Sequence, residues 1–303
     1  MALTESERYK KPQGLFNNRR VMSEYQALRR AAAESRQIVK IVERISEAGP
    51  IMVVDPEVAY YDLNDTLERV KIASMNGMEV MELGGSTDTN NEAETVIPQI
   101  RDAVREVGGN TLLISFPGTS SQVVEGVDAT FSLFLPQLDS VYRNSPQIAQ
   151  VLNEEYFEII DRSRQLGVPI IPVTYILFNG GEKTSVEKAT GIDAIKVQDG
   201  VDLNLVMNTL DPWLNPNDLV MLEMGSGPDT SVNLGSVAKN VYEKTRIRPI
   251  VTGGISSPKL MAEITRHIHS PVVFGSVAER TPPHLFGNLY RSFREFHPSC
   301  QER

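Results

Sequence analysis

Leu219–Pro228 reads LVMLEMGSGP, a short apolar run carrying one carboxylate, Glu223, two residues before a Gly-Ser-Gly turn. An apolar run of this length bounded by turn residues is the pattern of a strand buried on both faces, as in a parallel sheet. Gly225 and Gly227 let backbone approach a ligand with no Cβ in the way, and Ser226 adds a hydroxyl. The N–H groups of such a turn can cradle an anion. A charge at the end of a buried strand is costly unless it is partnered or used. Taken alone, the stretch fits a helix-entry turn with a capped Glu as well as it fits a functional carboxylate.

Outward from this strand the same unit recurs. Short apolar strands are expected at Ile51–Val54, Glu79–Leu83, Thr111–Phe116, Ala129–Leu135, Pro169–Leu177, Pro249–Val251 and Val272–Phe274, each followed by turn residues. Helical spacing fills Asn64–Asn76, Glu92–Val107, Ile148–Leu166, Val201–Thr209, Val232–Lys244, Pro258–His267 and Leu285–Phe296. Alternating strand and helix implies parallel pairing. Eight such strands, counting Leu219–Glu223, make the (β/α)8 TIM barrel of class α/β the expected fold. A doubly wound sheet would need a phosphate loop near the first strand, and Asp55-Pro56 is not one.

Residues 1–21 are polar and read as loosely draped chain. Ser23 to Ala48 reads as one extra N-terminal helix, with a Ser23/Gln26 capping pattern, an Ile38, Ile41, Val42, Ile45 stripe, and a stop at Gly49-Pro50. A helix so placed would lid the bottom of a barrel. No linker-like break in composition follows. The expected organisation is an N-terminal extension and helix over 1–50 and a single barrel over 51–303.

With 303 residues, 41% hydrophobic and 23% charged, the composition is that of an ordinary globular protein. A net charge of −9 and a pI of about 5.1 argue against a broad nucleic-acid or anionic-membrane footprint. They leave room for a small anionic ligand, because helix N-termini, backbone N–H groups and a bound metal supply positive field locally. One cysteine, Cys300, excludes a disulfide framework within the chain and points to a reducing, cytoplasmic setting. No apolar run approaches ~20 residues, and the N-terminus is polar, so neither a membrane span nor a signal peptide is expected.

A TIM barrel carries its active site at the C-terminal strand ends. Those ends are Asp55, Gly84–Thr87, Pro117-Gly118, Thr174-Tyr175, Glu223 with Gly225–Gly227, Thr252–Gly254, and Gly275-Ser276. Thr252-Gly253-Gly254 and Gly275-Ser276, after the seventh and eighth strands, stand where such barrels grip phosphate. Asp55 and Ser86 offer hard oxygens suited to Mg²⁺, which commonly shares substrate phosphates. Asp55 ahead of Pro56 is equally well formed as a helix N-cap. Glu223 stands between these two ends as a candidate general base.

Taken in order, these motifs resemble a known family. They are Asp-Pro after strand one, Gly-Gly-Ser after strand two, Phe-Pro-Gly after strand three, and Tyr-Ile-Leu followed by Asn-Gly-Gly-Glu-Lys-Thr around strand five. Leu-Glu-Met-Gly-Ser-Gly, Thr-Gly-Gly-Ile and Gly-Ser complete the series. The stretch from Ile51 to Arg280 resembles the geranylgeranylglyceryl phosphate synthase family, which includes the bacterial heptaprenylglyceryl phosphate synthases. The resemblance implies a Mg²⁺-dependent, ether-forming prenyltransferase that joins a prenyl diphosphate to a hydroxyl of a phosphorylated three-carbon acceptor and releases diphosphate. It implies Mg²⁺ at Asp55 and Ser86 and diphosphate at Gly85 and Thr87. Glu223 and Tyr175 would face the acceptor. Gly225, Ser226, Gly227, Thr252, Gly253, Gly254, Gly275 and Ser276 would hold its phosphate. The family is commonly dimeric, so a cytoplasmic homodimer is implied.

Four positions depart from the family pattern. Val53 stands where the family usually has Lys, Met221 where it has Tyr, Thr252 where it has a third Gly, and Ser276 where it has Asn. Among the branches, the chain resembles most the moenomycin-biosynthesis one, in which farnesyl diphosphate and 3-phosphoglycerate are joined on the way to a phosphoglycolipid antibiotic. Glycerol 1-phosphate, the acceptor of lipid biosynthesis, is the other acceptor that the resemblance implies. A non-catalytic polyprenyl-phosphate binder is the third reading.

Other signals are weaker. Asp62-x-x-Asp65 reads as a helix N-cap rather than a prenyl-synthase Asp-rich motif, and Glu182-Lys183-Thr184 lacks P-loop spacing. Arg19-Arg20 and Arg29-Arg30 could make transient contact with anionic lipid, against the plainer reading of an exposed polar segment.

Overall fold

The computed structural model describes residues 16–85, 92–138, 146–149, 153–179, 194–196, 218–224, 234–266 and 268–301. Ten strands lie among them. They are β1 (Pro50–Val54), β2 (Val80–Leu83), β3 (Leu112–Ser115), β4 (Ala129–Leu138), β5 (Pro146–Ala149), β6 (Ile170–Asn179), β7 (Ile195–Lys196), β8 (Leu219–Glu223), β9 (Ile250–Thr252) and β10 (Val272–Phe274). Eight close into a parallel ring, β1-β2-β3-β4-β6-β8-β9-β10 and back to β1. β5 adds antiparallel to β4, and β7 adds parallel to β6. The fold is a TIM barrel.

Successive residues of a strand face opposite ways. One set fills the barrel: Ile51 and Val53 on β1, Leu112 and Ile114 on β3, Phe131 on β4, Val173 and Tyr175 on β6, and Met221 on β8 belong to one cluster. The other set packs outward under the helices, with Met52, Met81, Leu83, Leu113 and Phe274 in the larger cluster. Strands buried on both faces explain the unbroken apolar runs.

The single N-terminal helix expected over Ser23–Ala48 is two. α1 (Phe16–Glu34) starts earlier than the Ser23 cap pattern, and α2 (Arg36–Ser46) follows a break at Ser35. Ser35 Oγ accepts from Ile38 N–H at 3.4 Å and caps α2. α2 places Ile38, Ile41, Val42 and Ile45 against the barrel interior, which is the expected lid. α1 goes elsewhere. Tyr25 and Leu28 pack outside the ring on Phe134, Tyr156 and Ile170. The Tyr25 ring stacks on Phe134 at 4.2 Å, and its hydroxyl shares a 2.8 Å hydrogen bond with Thr174 Oγ1. Arg29, over the Tyr25 ring, grips Asp218 with two nitrogens just ahead of β8. Arg29 is therefore not a lipid contact.

Two further expectations change. Ile148–Leu166 is not one helix, because Pro146–Ala149 pairs with β4 and the helix, Asn153–Leu166, begins only after it. Asp62 makes no side-chain cap; with Asp65 it pairs to Arg69 instead. The helix α3 (Pro56–Tyr61) follows the Asp55-Pro56 cap pattern, whereas the short helix Ser276–Arg280 had no separate sequence signal. β3 and β4 are joined by a 3₁₀ turn at Ser120–Gln122, held by Gly118 N–H donating to Gln122 Oε1 at 2.6 Å. The helix expected at Val201–Thr209 lies outside the described residues. No helix among the described residues is long and apolar enough to cross a membrane.

Candidate active site

The C-terminal ends of β1 and β2 are pressed together. Asp55 closes β1 and caps α3, its Oδ1 accepting from Glu57 N–H at 2.9 Å. The N-cap reading of Asp55 therefore holds, and it leaves Oδ2 out of that bond. Gly85 lies directly on this carboxylate: a Cβ built there would stand 2.4 Å from Asp55 Oδ2. At Gly84 it would stand 1.8 Å from the Phe116 carbonyl oxygen. These two glycines are required by close approach, Gly84 to the end of β3 and Gly85 to Asp55. The structure brings Asp55 and Gly85 together as expected, while Ser86 and Thr87 lie outside the described residues.

A second carboxyl joins them. Burial, then the charge of Asp55, raises the pKa of Glu279 above the ordinary carboxylate value, against the opposing charges of Arg280 and Arg69. A cavity of about 30 Å³ lies beside both, lined in part by Val53, Arg69 and Ala278. It has room for a water or an ion and not for a diphosphate.

Across the ring, β8 and β9 carry the other end. Glu223 pairs in register with Thr252, and Met224 N–H donates to the Thr252 carbonyl at 3.1 Å. This sets the carboxylate beside the Thr252-Gly253-Gly254 turn. Gly253 and Gly254 have φ of +88° and +67°, a left-handed pair that glycine adopts without strain. Gly275 lies against Val53, and Ser276 opens a five-residue helix behind it. Gly225, Ser226 and Gly227 lie outside the described residues.

Inside the mouth, the Tyr175 hydroxyl donates to the Glu223 carboxylate. Burial, the Glu223 charge, that hydrogen bond and the Glu82 charge together raise the Tyr175 pKa well above the ordinary phenol value, so it stays a donor. Glu82 is a residue that sequence reasoning missed. It alternates with Val80 and faces the interior, 2% exposed, and pairs in register with Val53. Burial first, and then the Glu223 charge, push its pKa up to about 8. Met221 lies beneath Glu223, in register with Tyr175, and is fully buried. Among the described residues no group of three or more His, Cys, Asp or Glu could hold a metal alone.

Comparison with known proteins agrees with the barrel fold. A model of the PcrB family matches residues 43–294. A geranylgeranylglyceryl phosphate synthase of Zunongwangia profunda is 28% identical over 198 residues, 65% of this chain and 77% of that protein. A protein of the same name from Korarchaeum cryptofilum is 25% identical over 228 residues, 75% of this chain and 86% of that protein. The solved wild-type GGGPS from Thermoplasma volcanium matches with a TM-score of 0.65 at 24% identity, covering 86% of this chain and 98% of that one. The (S)-3-O-geranylgeranylglyceryl phosphate synthase of Thermoplasma acidophilum, solved with its substrate sn-glycerol-1-phosphate, matches at 0.63 and 20% identity, covering 92% and 98%. At such identities the structural matches speak for the fold.

Proposed function

The chain belongs to the PcrB family and is a prenyltransferase; from that premise we propose that it joins a prenyl diphosphate to a hydroxyl of glycerol 1-phosphate. The relatives' names support a three-carbon phosphate acceptor, and the Thermoplasma acidophilum enzyme is named with this acceptor as substrate. The observation that carries the reading is the pairing of Glu223 with Thr252, which sets a carboxylate beside a turn of two left-handed glycines.

The chemistry follows from these positions. Thr252, Gly253, Gly254, Gly275 and Ser276, with Gly225, Ser226 and Gly227, hold the acceptor phosphate through backbone N–H groups and hydroxyls. Glu223 takes the proton of the acceptor hydroxyl, held in place by the Tyr175 O–H. The freed oxygen bonds to the first prenyl carbon, and the bond from that carbon to the diphosphate oxygen breaks. Holding both substrates in line supplies much of the rate. Diphosphate would lie at Gly85 and Thr87.

Asp55 and Glu279 fit Mg²⁺. They are neighbouring carboxylates beside an ion-sized cavity, and Mg²⁺ is commonly held by one or two carboxylates with the rest from substrate phosphate and water. Ser86 would add a hydroxyl. When bound, the ion neutralises charge on the departing diphosphate.

A second reading, farnesyl transfer to 3-phosphoglycerate for a phosphoglycolipid antibiotic, is favoured by Val53 and Met221. Val53 puts an apolar side chain against Gly275, and Met221 puts another beneath Glu223. Both would reshape an acceptor site.

The test is to incubate the purified chain with farnesyl or geranylgeranyl diphosphate and either acceptor, with and without Mg²⁺. Mass spectrometry reads the ether and a coupled assay reads diphosphate. Prenyl glyceryl phosphate as the faster product supports the first reading, and prenylated phosphoglycerate the second. No ether with any pair would sink both.

A further inference from the structure

We propose that Glu82 and Glu223 form a one-proton carboxyl pair across the barrel. Glu82 holds the proton and donates it in a hydrogen bond to an acceptor oxygen that is neither attacked nor part of the phosphate, while Glu223 remains the ionised base. The inference deepens the prenyl-transfer reading and rests on it for the identity of the bound oxygen.

The topology sets the pair face to face. Around the ring, β2 and β8 are four strands apart by either route, so they stand on opposite walls. Glu82 and Glu223 alternate with interior residues of the same strands and are both buried. Glu82 Oε1 has no hydrogen-bond partner among the described residues. On the flanking strands its register partners are Val53 and Ile114, which carry no charge. The next charged group on β1, Asp55, accepts from the head of α3. From across the barrel the titratable groups that act on Glu82 are Glu223 and, through its hydroxyl, Tyr175.

The two carboxyls are unequal. Tyr175 gives Glu223 a donor that stabilises a negative charge. Glu82 has apolar neighbours in register and a carboxylate opposite. Two carboxylates sharing a buried site do not both ionise readily, so the proton belongs on the member without a donor. The raised pKa of Glu82 agrees with that assignment.

A buried neutral carboxyl offers an O–H to an oxygen lone pair. On a three-carbon phosphate that lone pair belongs to the remaining hydroxyl or to a carboxylate, and an ionised Glu82 would repel the latter. In the reaction the acceptor proton passes to Glu223. The pair then holds two protons, and one leaves to solvent with the products.

Two variants and one spectroscopic titration test this. Glu82→Gln keeps a donor and cannot ionise. Glu82→Met keeps similar volume and has no donor. For the full chain, wild-type kcat/KM for the acceptor is expected to fall as pH rises past about 8. Glu82→Gln should lose that alkaline fall. Glu82→Met should raise the acceptor KM about tenfold and leave the prenyl diphosphate KM unchanged. Running both acceptors separates a hydroxyl from a carboxylate as the bound group: the one whose KM rises carries it.

Infrared titration of the wild-type chain is expected to show a protonated-carboxyl band that survives to about pH 8 and is absent in Glu82→Gln. A band that ionises in the ordinary carboxylate range would overturn the pair, whatever the activity. An unchanged alkaline limb in Glu82→Gln, or an unchanged acceptor KM in Glu82→Met, would overturn the donor role. A chain that keeps the band and transfers no prenyl group would place the failure in the prenyl-transfer reading.

Discussion

Val53 and Gly275 are in contact through a space with no room for another atom: a Cβ built on Gly275 would stand 2.5 Å from Val53 Cγ1. The end of β10 can therefore close over β1 in this way only while residue 275 has no side chain. Gly275→Ala is expected to cost about 1–3 kcal/mol of unfolding free energy through overpacking. It should also raise the acceptor KM, because the turn it displaces belongs to the phosphate end. Val53→Ala in the same chain should recover at least half of the stability loss. Denaturation of the two single variants and the double variant measures the coupling, and strictly additive losses would show that the contact is not the cause.

Glu223→Gln is expected to lower kcat by about 10²–10⁴ with the acceptor KM little changed, the mark of a lost general base. Tyr175→Phe removes one hydrogen bond to a charged group, worth about 1.5 kcal/mol or more, and should cost roughly tenfold. Steady-state kinetics on both variants check this. Full turnover in Glu223→Gln would remove the base from the mechanism.

Gly85→Ala drives a methyl group into the Asp55 carboxylate. The expected result is a joint rise in the prenyl diphosphate KM and in the Mg²⁺ concentration for half-maximal rate. Asp55→Asn should give the same pair of changes without the steric cause. A Gly85→Ala enzyme with altered acceptor KM alone would separate the glycine from the diphosphate end.

Glu82 also gives the fold a pH signature. Its pKa is raised in the folded state, from the ordinary carboxylate value of 4.5 to about 8, so the folded chain binds the extra proton between those values. Its contribution to stability is complete below the unfolded value and is lost as pH rises through the folded one. The slope from this one group is at most about 1.4 kcal/mol per pH unit. Urea unfolding at several pH values should show wild type losing stability towards pH 8 faster than Glu82→Gln. Parallel curves would mean that Glu82 ionises normally in the folded chain.

Arg29 and Asp218 are a nearly buried pair, with side-chain exposures of 10% and 9%. Arg29→Met should cost about 3–5 kcal/mol by leaving the aspartate without its cation. Arg29→Met combined with Asp218→Asn should cost less than Arg29→Met alone. Denaturation of the three variants checks it.

The barrel was legible because buried parallel strands read as unbroken apolar runs and each ended in turn residues. The strand-end rule placed Asp55, Gly85, Thr252, Gly253, Gly254 and Glu223 at the C-terminal ends of strands, where the structure has them. Glu82 escaped it for a physical reason. It lies inside a strand, between Met81 and Leu83, with no turn beside it. Only closure of the ring shows that β2 faces β8. The break at Ser35 follows alanines with no Gly or Pro to mark it, so the helix pattern ran through it. The helix expected from Ile148 overruns the end of the Pro146–Ala149 strand because an edge strand this short carries too little alternation to be told from a helix start.

α1 fastens two neighbouring strands at once, β6 through Thr174 and the start of β8 through Asp218. Thr174 points out to the helix, and the next residue, Tyr175, points in to Glu223 on β8. The N-terminal helix is thus a splint across the seam between the strand that carries the base and the strand that carries its donor. Cutting it away would loosen the spacing of a proton-transfer pair on the far side of the barrel wall, so this appendage has a share in the chemistry as well as in the packing.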